Sequence, residues 1–153
     1  MTRAPLLRGR AQGVAIYLAV SIALNLLWEV VQLPLYTIWR TATAGEIIFA
    51  VLHCTGGDII IAITSLAVAL LFVGNRNWPG EQRRPVFAVT LVIGIALTIY
   101  LEWLNTTVRQ SWAYTDLMPT LPILGTGLAP LLQWVVVPSL ALSAAYRQFH
   151  SAE

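Results

Sequence analysis

The chain has 153 residues, 58% of them hydrophobic and only 10% charged, where soluble domains average about 25% charged residues. So few charges cannot cover a soluble surface, and the length leaves room for one small bundle without a separate soluble domain. All nine basic residues are arginines, which excludes lysine chemistry such as a Schiff base; one cysteine, Cys54, excludes an internal disulfide or a thiolate metal cage; and the scattered arginines leave no footprint for nucleic acid.

Four apolar stretches follow one another along the chain. The first runs from about Ala11 to Leu33 and stops at Pro34. The others span about Gly45–Val73, Pro85–Thr106 and Leu128–Tyr146. Each reaches the roughly 20 residues that a spanning helix needs, and a backbone in hydrocarbon must pair its polar groups internally. The expected fold is an all-α membrane protein with a four-transmembrane-helix bundle. The basic start, the apolar run and Ala42-Thr43-Ala44 also resemble a signal peptide, but the run is too long and the small residues lie past its end. A retained signal-anchor helix is the expectation.

Loop charge sets orientation in a membrane. Arg3, Arg8 and Arg10 precede the first helix, Arg76, Arg83 and Arg84 lie between the second and third, and Arg147 follows the fourth; Arg40 and Arg109 fall on the other side. The excess predicts N-in, C-in, in the inner (plasma) membrane of a bacterium with a GC-rich genome. Gly74–Arg84 reads as a polar cytoplasmic turn, rich in Gly, Asn and Pro. The outer loop 107–127 is more apolar than a solvated loop should be, with Trp112, Tyr114, Met118, Leu121, Pro122 and Ile123, and is expected to pack down as a lid.

Ionisable groups inside a span are costly and usually face the bundle interior. Here they are Glu29, His53, Asp58 and Glu102, the candidate catalytic residues, with Gln133 from the fourth helix. At 1.5 Å per residue, His53 lies about 12 Å and Asp58 about 20 Å into the second helix. All four helices carry these groups towards the outer side, while inner halves such as Ala62–Leu71 read as almost purely apolar, which speaks against a monomeric channel. Asn25, Glu29 and Gln32 form one helical stripe, and Thr98, Glu102, Asn105 and Arg109 another. His53 and Asp58 lie about 140° apart on their helix, so they do not aim at one atom. Gly56 and Gly57 are expected to let a neighbouring backbone come close. His150 reads as a solvated tail residue.

Asn25, Trp28, Gln32, Asn105, Trp112, Tyr114, Gln133 and Trp134 complete the candidate ligand-binding set. Polar residues also simply lock helices together, at about 1 kcal/mol or less per bond, and the outer tryptophans Trp28, Trp39, Trp103, Trp112 and Trp134 also fit an interfacial belt. As a site, carboxyls shielded from water can hold or pass a proton near neutral pH, with His53 as a shuttle and indole faces to stabilise a cation. Trp112-Ala-Tyr followed by Met118-Pro and Leu121-Pro is similar to the pattern of the small membrane cyclases, which with the sterol isomerases set carboxylates and aromatics in short helical bundles. The paired glutamates that the cyclases carry after the proline are missing here, and membership is not assigned.

The expected function is an outward-facing intramembrane pocket for a lipophilic small molecule, with acid–base chemistry of the isomerase or cyclase kind. The alternatives are an accessory or assembly subunit, alone or as a homo-oligomer in a larger membrane complex, and a cation- or metal-binding protein. One imidazole with carboxylates suits Fe, Mn or Zn, but no ligand spacing such as H-x-x-H supports a metal, and the sequence specifies no cofactor.

Overall fold

The computed structural model describes residues 4–150, with side chains from 9 to 149. Arg3 and the side chains of Arg8 and His150, which entered the orientation and tail readings, lie outside the described residues. The described residues form five α-helices: α1 (Ala4–Gln32), the single-turn α2 (Ile38–Thr41), α3 (Ala44–Phe72), α4 (Arg83–Trp103) and α5 (Leu128–His150). Four of them are long and apolar enough to cross a membrane, and no strand occurs among the described residues. The chain therefore reads as a multi-pass membrane protein. Large apolar side chains on its outer faces agree with that, Val31 being 70% and Phe72 81% exposed.

The helices form a square. α1 packs on α3 and α5, α4 packs on the same two, and the diagonal pairs barely meet. The ends of the helices follow local chemistry. Pro34 cannot continue α1, and the chain leaves it through a 3-10 turn, Leu33–Leu35. Thr43, within the Ala42-Thr43-Ala44 segment, caps α3: its hydroxyl accepts from the Glu46 amide, and the Glu46 carboxylate accepts from the Thr43 amide, a reciprocal capping box. α4 runs on into a π-helical turn, Leu104–Val108. The Asn105 amide and the Thr106 hydroxyl donate to the carbonyls of Leu101 and Glu102 there, at 2.9 and 2.7 Å, and satisfy groups that the widened turn would otherwise leave short of partners.

The core lies at the end of the square where α1 begins and α5 ends. Tyr17, Ala62, Leu66, Trp78, Val86, Ala141, Leu142 and Ala145 are all buried there, with Trp78 brought in by the 73–82 turn. Polar residues run further down than the sequence suggested. Tyr17, Ser21 and Asn25 extend the Glu29–Gln32 stripe of α1, and Ser65 and Thr90 are equally buried on α3 and α4. The inner half is not purely apolar; its polar atoms simply sit among apolar neighbours that hide them in a composition reading. The stripe ends where Gly13 meets Trp78 and Pro79.

Close helix approach occurs at a different glycine from those expected. A Cβ on Gly56 or Gly57 would meet nothing within 4 Å. At Gly94 of α4 it would overlap the Trp134 ring of α5. Gly94 is therefore the residue that lets α4 and α5 close on one another, because only a missing side chain makes room for an indole.

Segment 109–127 is held down by its backbone. Thr37 N donates to Ala113 O at 2.9 Å and Thr115 N to Leu35 O at 2.9 Å, an antiparallel bridge between Tyr36 and Tyr114. The Tyr36 and Tyr114 rings meet edge to face with centroids 5.5 Å apart. Met118 is buried against Gly127. Ile123, expected to be covered, is 95% exposed, because the Pro122–Gly125 tip projects beyond the anchored part of the loop.

Candidate functional site

At the end of the square away from Trp78, the helices diverge around a cavity of about 770 Å³, within the range of small-molecule sites. α1 contributes Glu29 and Gln32, α3 contributes Cys54 and Asp58, α4 contributes Thr98 and Glu102, and α5 contributes Gln133 and Trp134. The whole α4 stripe of Thr98, Glu102, Asn105 and Arg109 lines the same space. Apolar and aromatic walls are supplied by Leu33, Tyr36, Phe49, Ile61, Leu101 and Trp134.

One amide ties three helices together. Gln133, 2% exposed, donates through Nε2 to Asp58 Oδ2 at 2.8 Å, to Asn25 Oδ1 at 3.0 Å and to Glu29 Oε1 at 3.4 Å. Gln32 donates to the same Glu29 oxygen at 2.7 Å. Two carboxyls from different helices are thereby bridged by a neutral donor. Pro138 of α5 has no N–H for the carbonyl one turn earlier, so the residue bearing the Trp134 ring sits where the α5 ladder is open.

Glu102 belongs to a second group. The Tyr114 hydroxyl donates to Glu102 Oε2 and accepts from the Gly127 amide at 3.1 Å. Loop and helix are thus latched at a carboxyl that faces the cavity, with Trp112 beside it. Burial, and then the adjoining Glu102, raise the Tyr114 phenol above its ordinary range. Tyr36 is raised too, by burial first and then by the negative fields of Glu102, Tyr114, Glu29 and Cys54. Both phenols stay neutral, and the Tyr114 hydroxyl acts as a hydrogen-bonding group.

The sequence candidates divide by place. Glu29, Gln32, His53, Asp58, Glu102, Asn105, Trp112, Gln133 and Trp134 line the cavity. His53 does so at its exposed rim, stacked on Phe49 with centroids 5.6 Å apart, and not among the carboxyls. Asn25 lies one turn below, fully buried, as a support for Gln133. Tyr114 acts from behind Glu102. Trp28 does not line the cavity. Tyr36, Phe49, Thr98 and Arg109 were not among the ligand candidates yet stand on its wall; for Thr98 and Arg109 the signal was their place on the Glu102 stripe, whereas the Tyr36–Tyr114 pairing joins residues that no local pattern connects. Among the described residues, no three of His, Cys, Asp and Glu converge as a metal ion's ligands would. Compared with known protein families, curated proteins and solved structures, the chain matches none.

Proposed function

We propose that this protein is a membrane receptor or enzyme whose cavity binds a lipophilic small molecule and exchanges a proton with it. The observation that carries this reading is the convergence of side chains from all four long helices on one space. Structural polar locks need only pairs of helices; here Glu29, Asp58 and Glu102 are turned towards a volume large enough for a ligand. Glu102, hydrogen-bonded to Tyr114, and the Glu29–Asp58 pair under Gln133 are the groups that would give and take the proton. The arginine distribution supports a cavity on the outer side, with N-in, C-in helices in the plasma membrane and the 107–127 segment as its lid.

Native mass spectrometry of protein from its own host, in mild detergent, tests this. The expected result is a retained organic molecule that is lost in Glu102→Gln and in Asp58→Asn, with each variant still eluting as the folded species. A clean protein mass in the wild type and both variants, together with a co-purifying subunit, would replace the pocket with the accessory-subunit reading. A retained metal would replace it with the cation reading.

A further inference from the structure

Around the Glu29–Asp58 pair the amide donors are in use while one amide oxygen is not. The donors that reach the carboxyls are already committed: both Gln133 and Gln32 use their amide NH₂ groups on Glu29, Asp58 and Asn25, and Tyr114 uses its hydroxyl on Glu102. A glutamine flanked by carboxylates has its amide orientation fixed, since only the NH₂ side can donate. What remains without a partner on the cavity wall is one indole donor, Trp112 Nε1, and two groups able to accept. Gln32 Oε1 is buried without a partner, and so is the Thr98 hydroxyl oxygen; Gln32 is 6% and Thr98 5% exposed, and both line the cavity. Gln133 and Gln32 reach Glu29 at Oε1, Gln133 reaches Asp58 at Oδ2, and Tyr114 reaches Glu102 at Oε2.

Buried acceptors without partners cost free energy that a ligand donor recovers. Formal charge points the same way, since Glu29, Glu46, Asp58 and Glu102 face the cavity against the one guanidinium of Arg109. Glu46 is spent on its capping box with Thr43. Arg109 and His53 are both exposed, at the rim. Glu102 adds to burial in raising the phenols of Tyr36 and Tyr114, burial being the larger cause. The aromatic side chains of Trp134, Phe49 and Tyr36 stand on the cavity wall, and ring faces attract organic cations.

We infer that the ligand is a lipophilic amine bound in its protonated, N–H-bearing form, its ammonium between Glu29, Asp58 and Glu102 and its apolar body against Phe49, Ile61 and Trp134. This rests on the reading of the cavity as a ligand pocket and specifies its chemistry. The ammonium meets buried carboxyls, and a charge leaving water is paired on arrival. An anion would meet the repulsion of the cavity carboxyls. A quaternary ammonium would keep the charge but satisfy none of the open oxygens.

Isothermal titration calorimetry on the full chain in nanodiscs, with three probes sharing one body, decides it: 2-phenylethylamine, its N,N,N-trimethyl derivative and 3-phenylpropanoate. Gly57→Phe is the reference for non-specific partitioning, because Gly57 faces the cavity and a Cβ there meets nothing within 4 Å; its melting temperature checks that it is folded. The primary amine should bind about tenfold or more tighter than the trimethyl derivative, since one charge-assisted hydrogen bond is worth that much. The propanoate should not bind above the Gly57→Phe background, and Glu102→Gln should weaken the amine. Equal or tighter binding of the trimethyl derivative or the propanoate overturns the amine assignment while leaving the pocket standing. Amine binding no different from Gly57→Phe overturns the amine assignment as well, and the mass measurement above then decides the pocket by itself.

Discussion

Gly94 and Gly56 show how far a residue type is from a residue's role. Both are glycines inside long helices, and glycine costs a helix about 1 kcal/mol relative to alanine. At Gly94 the missing Cβ is occupied by the Trp134 ring. Gly94→Ala should therefore lower stability by about 1–3 kcal/mol through overpacking and displace Trp134 from the cavity wall. Gly56→Ala meets open space and should stabilise by up to about 1 kcal/mol. Thermal unfolding of the two variants in the same detergent checks the pair; a destabilised Gly56→Ala beside a neutral Gly94→Ala would reverse the packing assignment. The sequence offered Gly56-Gly57 as the close-approach point because adjacent small residues look alike wherever they fall. Which glycine is filled depends on a tryptophan 40 positions away, and no local pattern carries that. Polar residues were more legible: a charge or amide in a span has few places to go, so the stripes of α1 and α4 located Glu29, Gln32, Glu102 and Asn105 on the cavity directly. Below Asn25 the same stripe is hard to see in the sequence, because Tyr17 and Ser21 are weakly polar and common in apolar helices.

The elements differ in what holds them. The long helices were readable from apolar run length to within a few residues at the 44, 72 and 128 boundaries, since bilayer thickness sets that length. α2 and the π turn were not, because their cause is tertiary: the 109–127 segment binds the backbone at 35 and 37 and draws the chain into them. The turn between α3 and α4 is held by side chains. The Glu81 carboxylate accepts from Asn75 Nδ2 at 2.7 Å and Asn77 Nδ2 at 2.8 Å, and these bonds, Asn77's first, lower its pKa from the ordinary 4.5. A carboxyl with a depressed folded-state pKa contributes stability above its unfolded value that is lost as pH falls through the folded one. Glu81→Gln keeps one acceptor oxygen of two and no charge. It should melt slightly below the wild type at pH 7, and the difference should vanish on acidification to below the usual carboxylate range. A gap that is unchanged at low pH would mean that Glu81 holds the turn by shape and not by charge.

At the scale of the whole molecule, charge and polarity are segregated to opposite ends of one bundle. Arg76, Arg83 and Arg84 lie in and beside the turn that plugs the core with Trp78, and Arg147 is near the end of α5 at that same end. There the Arg83 guanidinium stacks over the Tyr146 ring at 5.5 Å and donates to Pro79 O at 2.7 Å, so the basic end is also the tightly closed one. The cavity opens at the other end, beside Arg40 and Arg109. Basic loops tend to be retained on the cytoplasmic side; in the proposed N-in, C-in orientation the closed end would face the cytoplasm and the cavity the exterior, and a ligand would enter without crossing the hydrophobic core. This is testable by cysteine accessibility in a Cys54→Ser background, which removes the chain's own thiol. Ile123→Cys, at the exposed loop tip, should react with a membrane-impermeant maleimide on intact spheroplasts. Asn77→Cys, in the α3–α4 turn, should react only after the membrane is opened. The reverse pattern would turn the cavity towards the cytoplasm, and the ligand would then have to come from inside the cell.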